Sequence, residues 1–268
     1  MLAPAMAWDP AQYQKFRSER AQPFRDLLAL VQPRPRMRVV DLGCGPGELT
    51  RDLHQTLGAA QTLGIDSSDS MLLRAAEHAR EGLRFEKGEI ERFHQPGSVA
   101  RFDLIFSNAA LHWVARHGQL LQQLTAQLAP GGQIAIQMPR NEAHPSHLAA
   151  QETASEPRFR RLLHGYLRQS PVLEPAQYAA WLFKLGFVEQ HVRVQIYPHL
   201  LGSRDEVVEW TRGTLLTDYE ARLSAPDFAR FLARYREVLL PQLEDARPFL
   251  FTFERLFVWG RLAGQGRT

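Results

Sequence analysis

Apolar residues in the first half of the chain fall into five short runs, at about 37–42, 61–66, 83–87, 102–107 and 132–138. Runs of this length, bounded by turn formers, predict buried strands. Between them, 48–57, 69–80 and 114–128 predict helices. From Ser68 to Ala79, for example, Met71, Leu72, Ala75, Ala76 and Ala79 recur at a helical period. Pro130-Gly131-Gly132 stops the helix before it and turns the chain into the fifth strand. Such alternation predicts a parallel sheet joined by right-handed crossovers.

The remainder departs from that rhythm. Residues 8–30 predict one or two amphipathic helices broken at Pro23, and 140–180 and 203–246 predict mainly helical segments with polar and aromatic mixtures. Glu189–Tyr197 alternates Val192, Val194 and Ile196 like a strand. Phe249–Arg261 does the same with Phe249, Phe251, Phe253, Phe257 and Trp259, predicting an antiparallel edge strand that closes the sheet. The expected fold is α/β and Rossmann-like, mostly parallel with an antiparallel last strand. Three segments are expected: an N-terminal helical lid at 1–32, a ligand-binding core at 33–139, and 140–268 with helical cap insertions and the last strands.

The chemistry concentrates at the strand ends. Arg38-Val39-Val40-Asp41-Leu42-Gly43-Cys44-Gly45-Pro46-Gly47 reads as a strand that ends in a tight glycine turn before a helix. Such a turn leaves the N–H groups of the new helix facing a crevice at the carboxyl end of the sheet, where open α/β folds bind ligands. The spacing is Gly-x-Gly-x-Gly, with acidic Asp41 two residues before the first glycine. That variant resembles motif I of class I methyltransferases, whose ligand is the amino-acid end of S-adenosylmethionine.

Asp66 ends the second strand, where α/β nucleotide sites hold both ribose hydroxyls. Ser67, Ser68 or Asp69 serves better as the cap of the helix that follows. Just past the third strand, Glu89 is placed to accept from the adenine amino group while Ile90 packs on the ring, and Met71 covers adenine or ribose. Asn108, at the end of the fourth strand, offers oxygens to the methionine ammonium. His112 and Trp113 follow at the pocket mouth, His112 as an orienting group or a base and Trp113 as a wall, while Asp103 opens the strand in a structural role.

Composition narrows the class further. The 268 residues are 44% hydrophobic and 23% charged with a net charge of +3, as in an ordinary soluble protein. The pI near 9.2 comes from arginines scattered among acids rather than from a basic stripe, so no nucleic-acid partner is expected. Neither a membrane-length apolar run nor a basic-then-apolar signal pattern is present, so no membrane is expected. The single cysteine, Cys44, fits a reducing cytoplasm. Among ten histidines, the pairs His144/His147 and His112/His117 lack the further ligands that zinc-like spacing requires, so no metal is expected.

A wider set of residues carries a more specific resemblance. Trp8-Asp9-Pro10, Tyr13, Phe16, Glu19-Arg20 and Pro23 are followed by Asp41–Gly47, Gly64–Ser68, Asp103–Phe106, Asn108-Ala109, Leu111 and Trp113. Gln137-Met138-Pro139, Asn141, Pro145, His147 and Arg255-Leu256-Phe257 complete it. Together they resemble the trans-aconitate 2-methyltransferases over nearly the whole chain. The resemblance implies methyl transfer from S-adenosylmethionine to a carboxylate of a small polycarboxylic acid in a cytoplasmic enzyme. Two places differ: Thr214-Leu215-Leu216-Thr217 follows Trp210 where the family carries Gly-Leu-Arg-Pro, and Glu142 stands beside Asn141 where it carries Trp.

A carboxylate acceptor with a pKa near 4 is ionised at pH 7 and needs no base. Arginines suit its other carboxylates, with Arg20, Arg140 and Arg255 as candidates and Tyr166, Tyr197 and Trp210 as walls. A phenolic or other weakly acidic acceptor would instead promote His112 to general base. An RNA or protein methyltransferase is disfavoured by the lack of a binding module or an Asn-Pro-Pro-Tyr-type signature after the fourth strand. The intact glycine turn and Asp66 argue against a non-catalytic binder.

Overall fold

A seven-stranded sheet in the order β3-β2-β1-β4-β5-β7-β6 organises the chain. The structure, a computed structural model, describes residues 17–93 and 101–264, with side chains from residue 22 onward. Strands β1 (Arg38–Leu42), β2 (Gln61–Asp66), β3 (Leu83–Lys87), β4 (Phe102–Asn108) and β5 (Leu128–Pro139) run parallel. The last strand, β7 (Phe249–Leu262), pairs antiparallel with β5, and β6 (Phe187–Leu201) lies at the edge. The expected fold class is therefore the observed one, with one correction: β7 is interior and β6 is the edge strand. The residues record this, since Leu256 to Trp259 are all buried whereas β6 is mostly exposed.

Two compact units divide the described chain. One includes residues 20–93, 101–139, 171–195 and 255–264, and its core gathers Val40, Leu42, Ile105, Ile134, Ile136, Leu256 and Val258 from the sheet. The other includes residues 140–170 and 196–254 and packs around Trp210, Tyr219, Phe231, Tyr235 and Phe251. Its helices are α5 (Pro145–Ser155), α6 (Pro157–Leu162), α8 (Asp205–Arg212), α9 (Thr217–Glu220) and α10 (Ala225–Leu239). Leu215 and Leu216 of the divergent 214–217 run are buried in that second core.

The sheet unit carries α1 (Arg17–Leu28) from residue 20 onward, α2 (Glu48–Leu57), α3 (Asp69–Ala75), α4 (His117–Ala126) and α7 (Pro175–Lys184). Helix α1 runs unbroken through Pro23, contrary to the expected break. Proline removes one helical hydrogen bond, but Phe24 and Leu27 of the same turn are buried and Phe24 packs edge-on against Phe106 at 5.5 Å. Burial of those side chains outweighs the missing bond. The lid residues Trp8, Tyr13 and Phe16 lie outside the described residues, as does the Arg20 side chain.

Three boundaries also move. Pro130-Gly131-Gly132 lies inside β5 as a bulge, where the register shifts between Phe102 and Leu104 and the Gly131 N–H donates to Ala263 O at 2.7 Å. Helix α3 gives way to a single 3-10 turn at Ala76–His78. The segment after β4 first makes a 3-10 turn, Leu111–Trp113, and α4 starts only at His117. His117 is the reason for that turn's place: its buried Nε2 faces the carbonyls of Leu111 and Val114, each at 3.0 Å, and Nδ1 meets the Tyr178 hydroxyl. Burial holds its pKa below the usual histidine value, which keeps the ring neutral and able to accept.

Candidate active site

The carboxyl ends of β1, β2 and β4 converge on one constellation. Asp66 anchors it. One carboxylate oxygen accepts from the Gly45 N–H and the other from the Ser68 N–H, each at 2.9 Å. Ser68 in turn caps α3 by accepting from Met71 N at 3.4 Å, one of the three caps that the sequence offers, with Ser67 and Asp69. Each Asp66 oxygen keeps a further lone pair for a ligand hydroxyl.

The three glycines of the turn differ in what they permit. A Cβ on Gly43 would sit 2.2 Å from Ala110 Cβ, and one on Gly47 would sit 2.9 Å from Ala75 and Phe85. Those two are required by packing. Gly45, with φ +54°, has nothing within 4 Å of its absent Cβ, so it alone opens onto space. The turn's amides are spent internally, Gly43 and Cys44 on Ile65 O, Gly45 on Asp66 and Gly47 on Cys44 O. What it offers a ligand is room, together with the first turn of α2, which carries no side-chain cap.

Asp41 lies beneath the turn, buried, with the Thr50 hydroxyl donating to it at 2.6 Å. Burial pushes its pKa up to about 7; the Thr50 bond lowers it in part and the nearby Asp66 charge raises it again. Across the sheet, Ser107 locks β4 to β1 by donating to Leu42 O at 2.7 Å. Asn108 follows, and its buried Oδ1 has no hydrogen-bond partner. Ala109 then takes a left-handed conformation, φ 56°, which a non-glycine residue adopts at a cost. That kink sets Ala110 against Gly43. The sequence marks Ala109 only as part of the family pattern and Ala110 not at all, because their role is a contact between two distant turns.

The other sequence candidates are placed as follows. Ile90 is half-buried, its Cδ1 3.7 Å from the position of a Gly43 Cβ, and Met71 is buried in α3. Glu89 is exposed and ion-paired with Arg92 at 3.0 Å. The rings of His112 and Trp113 lie 4.8 Å apart. Asp103 accepts from Arg38 N at 2.9 Å and pairs with Arg34 at 3.0 Å, the structural role expected. Buried Arg255 donates to Gln137 Oε1 at 3.4 Å in the sheet unit.

Arg140, Tyr166, Tyr197 and Trp210 belong to the other unit. Arg140 pairs with Glu254 at 3.1 Å. Tyr166 lies under the Arg222 guanidinium at 3.8 Å and donates to Asp218 at 3.3 Å. Trp210 is a core residue among His199, Phe251 and Phe253, and Tyr197 is likewise buried.

A glycine turn braced by the β4 loop, an acidic β2 tip clamped to it and an unpaired oxygen on β4 together could receive a nucleoside joined to a cationic tail. The methyltransferase domain family matches residues 33–179. Trans-aconitate 2-methyltransferase of Deinococcus radiodurans is 43% identical over 259 residues, covering 94% of this chain and 98% of that protein. The chain belongs to the trans-aconitate 2-methyltransferase family. Its counterpart in Methylobacterium nodulans is 40% identical over 258 residues, covering 95% and 98%. The crystal structure of YcgJ from Bacillus subtilis shares the fold, with a TM-score of 0.59 at 16% identity, covering 91% of this chain and 99% of that one.

Two substitutions separate packing from ligand access. Gly47→Ala should destabilise the fold by about 2–5 kcal/mol, from the left-handed conformation and the clash. Gly45→Ala should cost only about 1–2 kcal/mol, the conformational part alone, while weakening S-adenosylhomocysteine binding at least tenfold. Thermal melts and calorimetry check both.

Asp41 should write a pH dependence into stability. Its folded pKa is raised above the unfolded value, so the native state holds the extra proton between about pH 4 and 7. Stability therefore falls as pH rises through that window, by about 4 kcal/mol at most. Asp41→Asn should abolish that slope and be more stable than the wild type at pH 8, as urea unfolding at pH 5 and 8 would show.

Proposed function

We propose that the chain is an S-adenosylmethionine-dependent O-methyltransferase that esterifies a carboxylate of a small polycarboxylic acid such as trans-aconitate. The observation that carries this reading is the extent of the likeness. It covers 94% of the chain, through both compact units, whereas the methyltransferase domain alone ends at residue 179.

The residues present fit S-adenosylmethionine. The unpaired Asn108 Oδ1 is an acceptor suited to an ammonium, and the space at Gly45 admits a ligand against backbone. Asp66 would hold the ribose hydroxyls, Asp41 would add negative charge near the cationic tail, and Ile90, Met71 and Glu89 would receive the adenine. When bound, this cofactor supplies an electrophilic methyl group on a positively charged sulfur and leaves as a neutral thioether.

The acceptor carboxylate is already ionised at neutral pH, so the protein has no proton to remove. Its residues have to align the carboxylate and exclude water, contributions worth on the order of 7–11 kcal/mol. Trp113 would wall the pocket and His112 would orient the acceptor. Arg20, Arg140 and Arg255 are the candidate cations around a spectator carboxylate, with Tyr166, Tyr197 and Trp210 as candidate walls. A cytoplasmic setting fits the single buried Cys44, whose thiol burial pushes far up and out of reactivity.

Incubation with labelled S-adenosylmethionine should yield a base-labile methyl ester of trans-aconitate and no labelled phenol or RNA. At saturating cofactor, His112→Gln should cost tenfold or less, and the rate should stay flat from about pH 6 to 9. A loss of about 10²–10⁴-fold with a histidine-like pH limb in the wild type would mean a base is used and would overturn the carboxylate reading.

A further inference from the structure

We propose that Gln137 is the donor that binds a carboxylate of the methyl acceptor, with Arg255 as its positioning residue. Gln137 lies one residue before the end of the buried stretch of β5, which Met138 closes, and is fully buried. Its Oε1 accepts from Arg255 at 3.4 Å, while its Nε2 is buried without a hydrogen-bond partner. A guanidinium only donates, so Arg255 fixes which end of the amide is the oxygen and turns the NH2 away from itself. An unsatisfied buried donor is unfavourable, and a native fold retains one where a ligand completes it.

The ligand must bring an anionic oxygen. Gln137 pairs across the sheet with Asn108 on one side and with Phe257 on the other. A guanidinium, that of Arg193, lies 5.3 Å over the Phe257 ring. Gln137 thus lies in register between Asn108, with its unpaired acceptor oxygen, and a β7 segment that carries Arg255 and, over Phe257, Arg193. An unpaired acceptor beside an unpaired donor suits a junction at which a cationic methyl donor meets an anionic methyl acceptor.

A carboxylate could come from the acceptor or from the amino-acid end of the cofactor. The strand order favours the acceptor. The glycine turn and Asp66 lie on β1 and β2, on one side of β4, whereas Gln137 lies one strand, about 4.8 Å, to the other side, with Arg255 a strand beyond. The inference rests on the polycarboxylate reading above.

The test uses the full chain, with Gln137→Glu and Gln137→Met compared with the wild type. Gln137→Glu keeps the shape and the acceptor for Arg255 but replaces the donor with a like charge; Gln137→Met removes both. KM for trans-aconitate should rise roughly 10–100-fold in each, the loss of one hydrogen bond to a charged group. The S-adenosylhomocysteine affinity by calorimetry should stay within about twofold, by the strand-order argument. The wild type's preference for trans-aconitate over its monomethyl esters should shrink in both variants. An unchanged KM with a lowered Tm would assign Nε2 to a bridging water and overturn the inference. Weakened S-adenosylhomocysteine binding with unchanged KM would assign it to the cofactor and overturn it equally. Wild-type protein that methylates no polycarboxylate refutes the proposed function, and this inference with it; wild-type turnover with unaltered variants refutes the inference alone.

Discussion

The Asp66 carboxylate is the joint on which the site depends. By accepting from both Gly45 N–H and Ser68 N–H it ties the turn after β1 to the start of α3. Charge-assisted bonds of this kind are stronger than neutral ones, and both donors are main-chain groups fixed by their own elements. The Gly43–Ala110 contact then binds the β4 loop to the same turn. Three strand tips become one rigid surface, and what remains open on it is the space at Gly45.

Around that joint the protein keeps polar groups where burial makes them costly. Asp41 is a carboxyl whose charge is disfavoured by burial and helped only by Thr50. Asn108 Oδ1 and Gln137 Nε2 are buried without partners, on register-paired positions of adjacent strands. On the same strand Gln133 is satisfied, exchanging bonds with the Gln32 backbone at 2.7 and 2.8 Å. The contrast between Gln133 and Gln137, two positions on one face of one strand, marks the second as prepared for a ligand.

The left-handed Ala109 belongs to the same pattern. Strain at a single residue is tolerated when its neighbours over-determine it, and here Ala109 N–H donates to Gln137 O at 2.9 Å while Ala110 packs on Gly43. His117 secures the turn that follows from below, through the Leu111 and Val114 carbonyls. Asn108, His112 and Trp113 thus stand on a segment held at both ends.

Local patterns were enough to establish the alternating strands, the turn at Gly43–Gly47, the acidic β2 tip and a helix cap within Ser67–Asp69, because each is written within a few consecutive residues. The same holds for the family, whose motifs keep their order along the chain. Other features depend on residues far apart in sequence. Burial of Phe24 and Leu27 carries α1 through Pro23, and β6 rather than β7 takes the edge because pairing, not periodicity, sets strand order. Which glycine serves a ligand, and which merely clears a neighbour, was decided by Ala110, Ala75 and Phe85. The family pattern includes Gln137 but gives it no role until β7 brings Arg255, 118 positions away, against its oxygen. A sequence specifies local conformation through periods and caps, but an unpaired donor exists only once every other group has taken its partner, and that is settled by the tertiary structure alone.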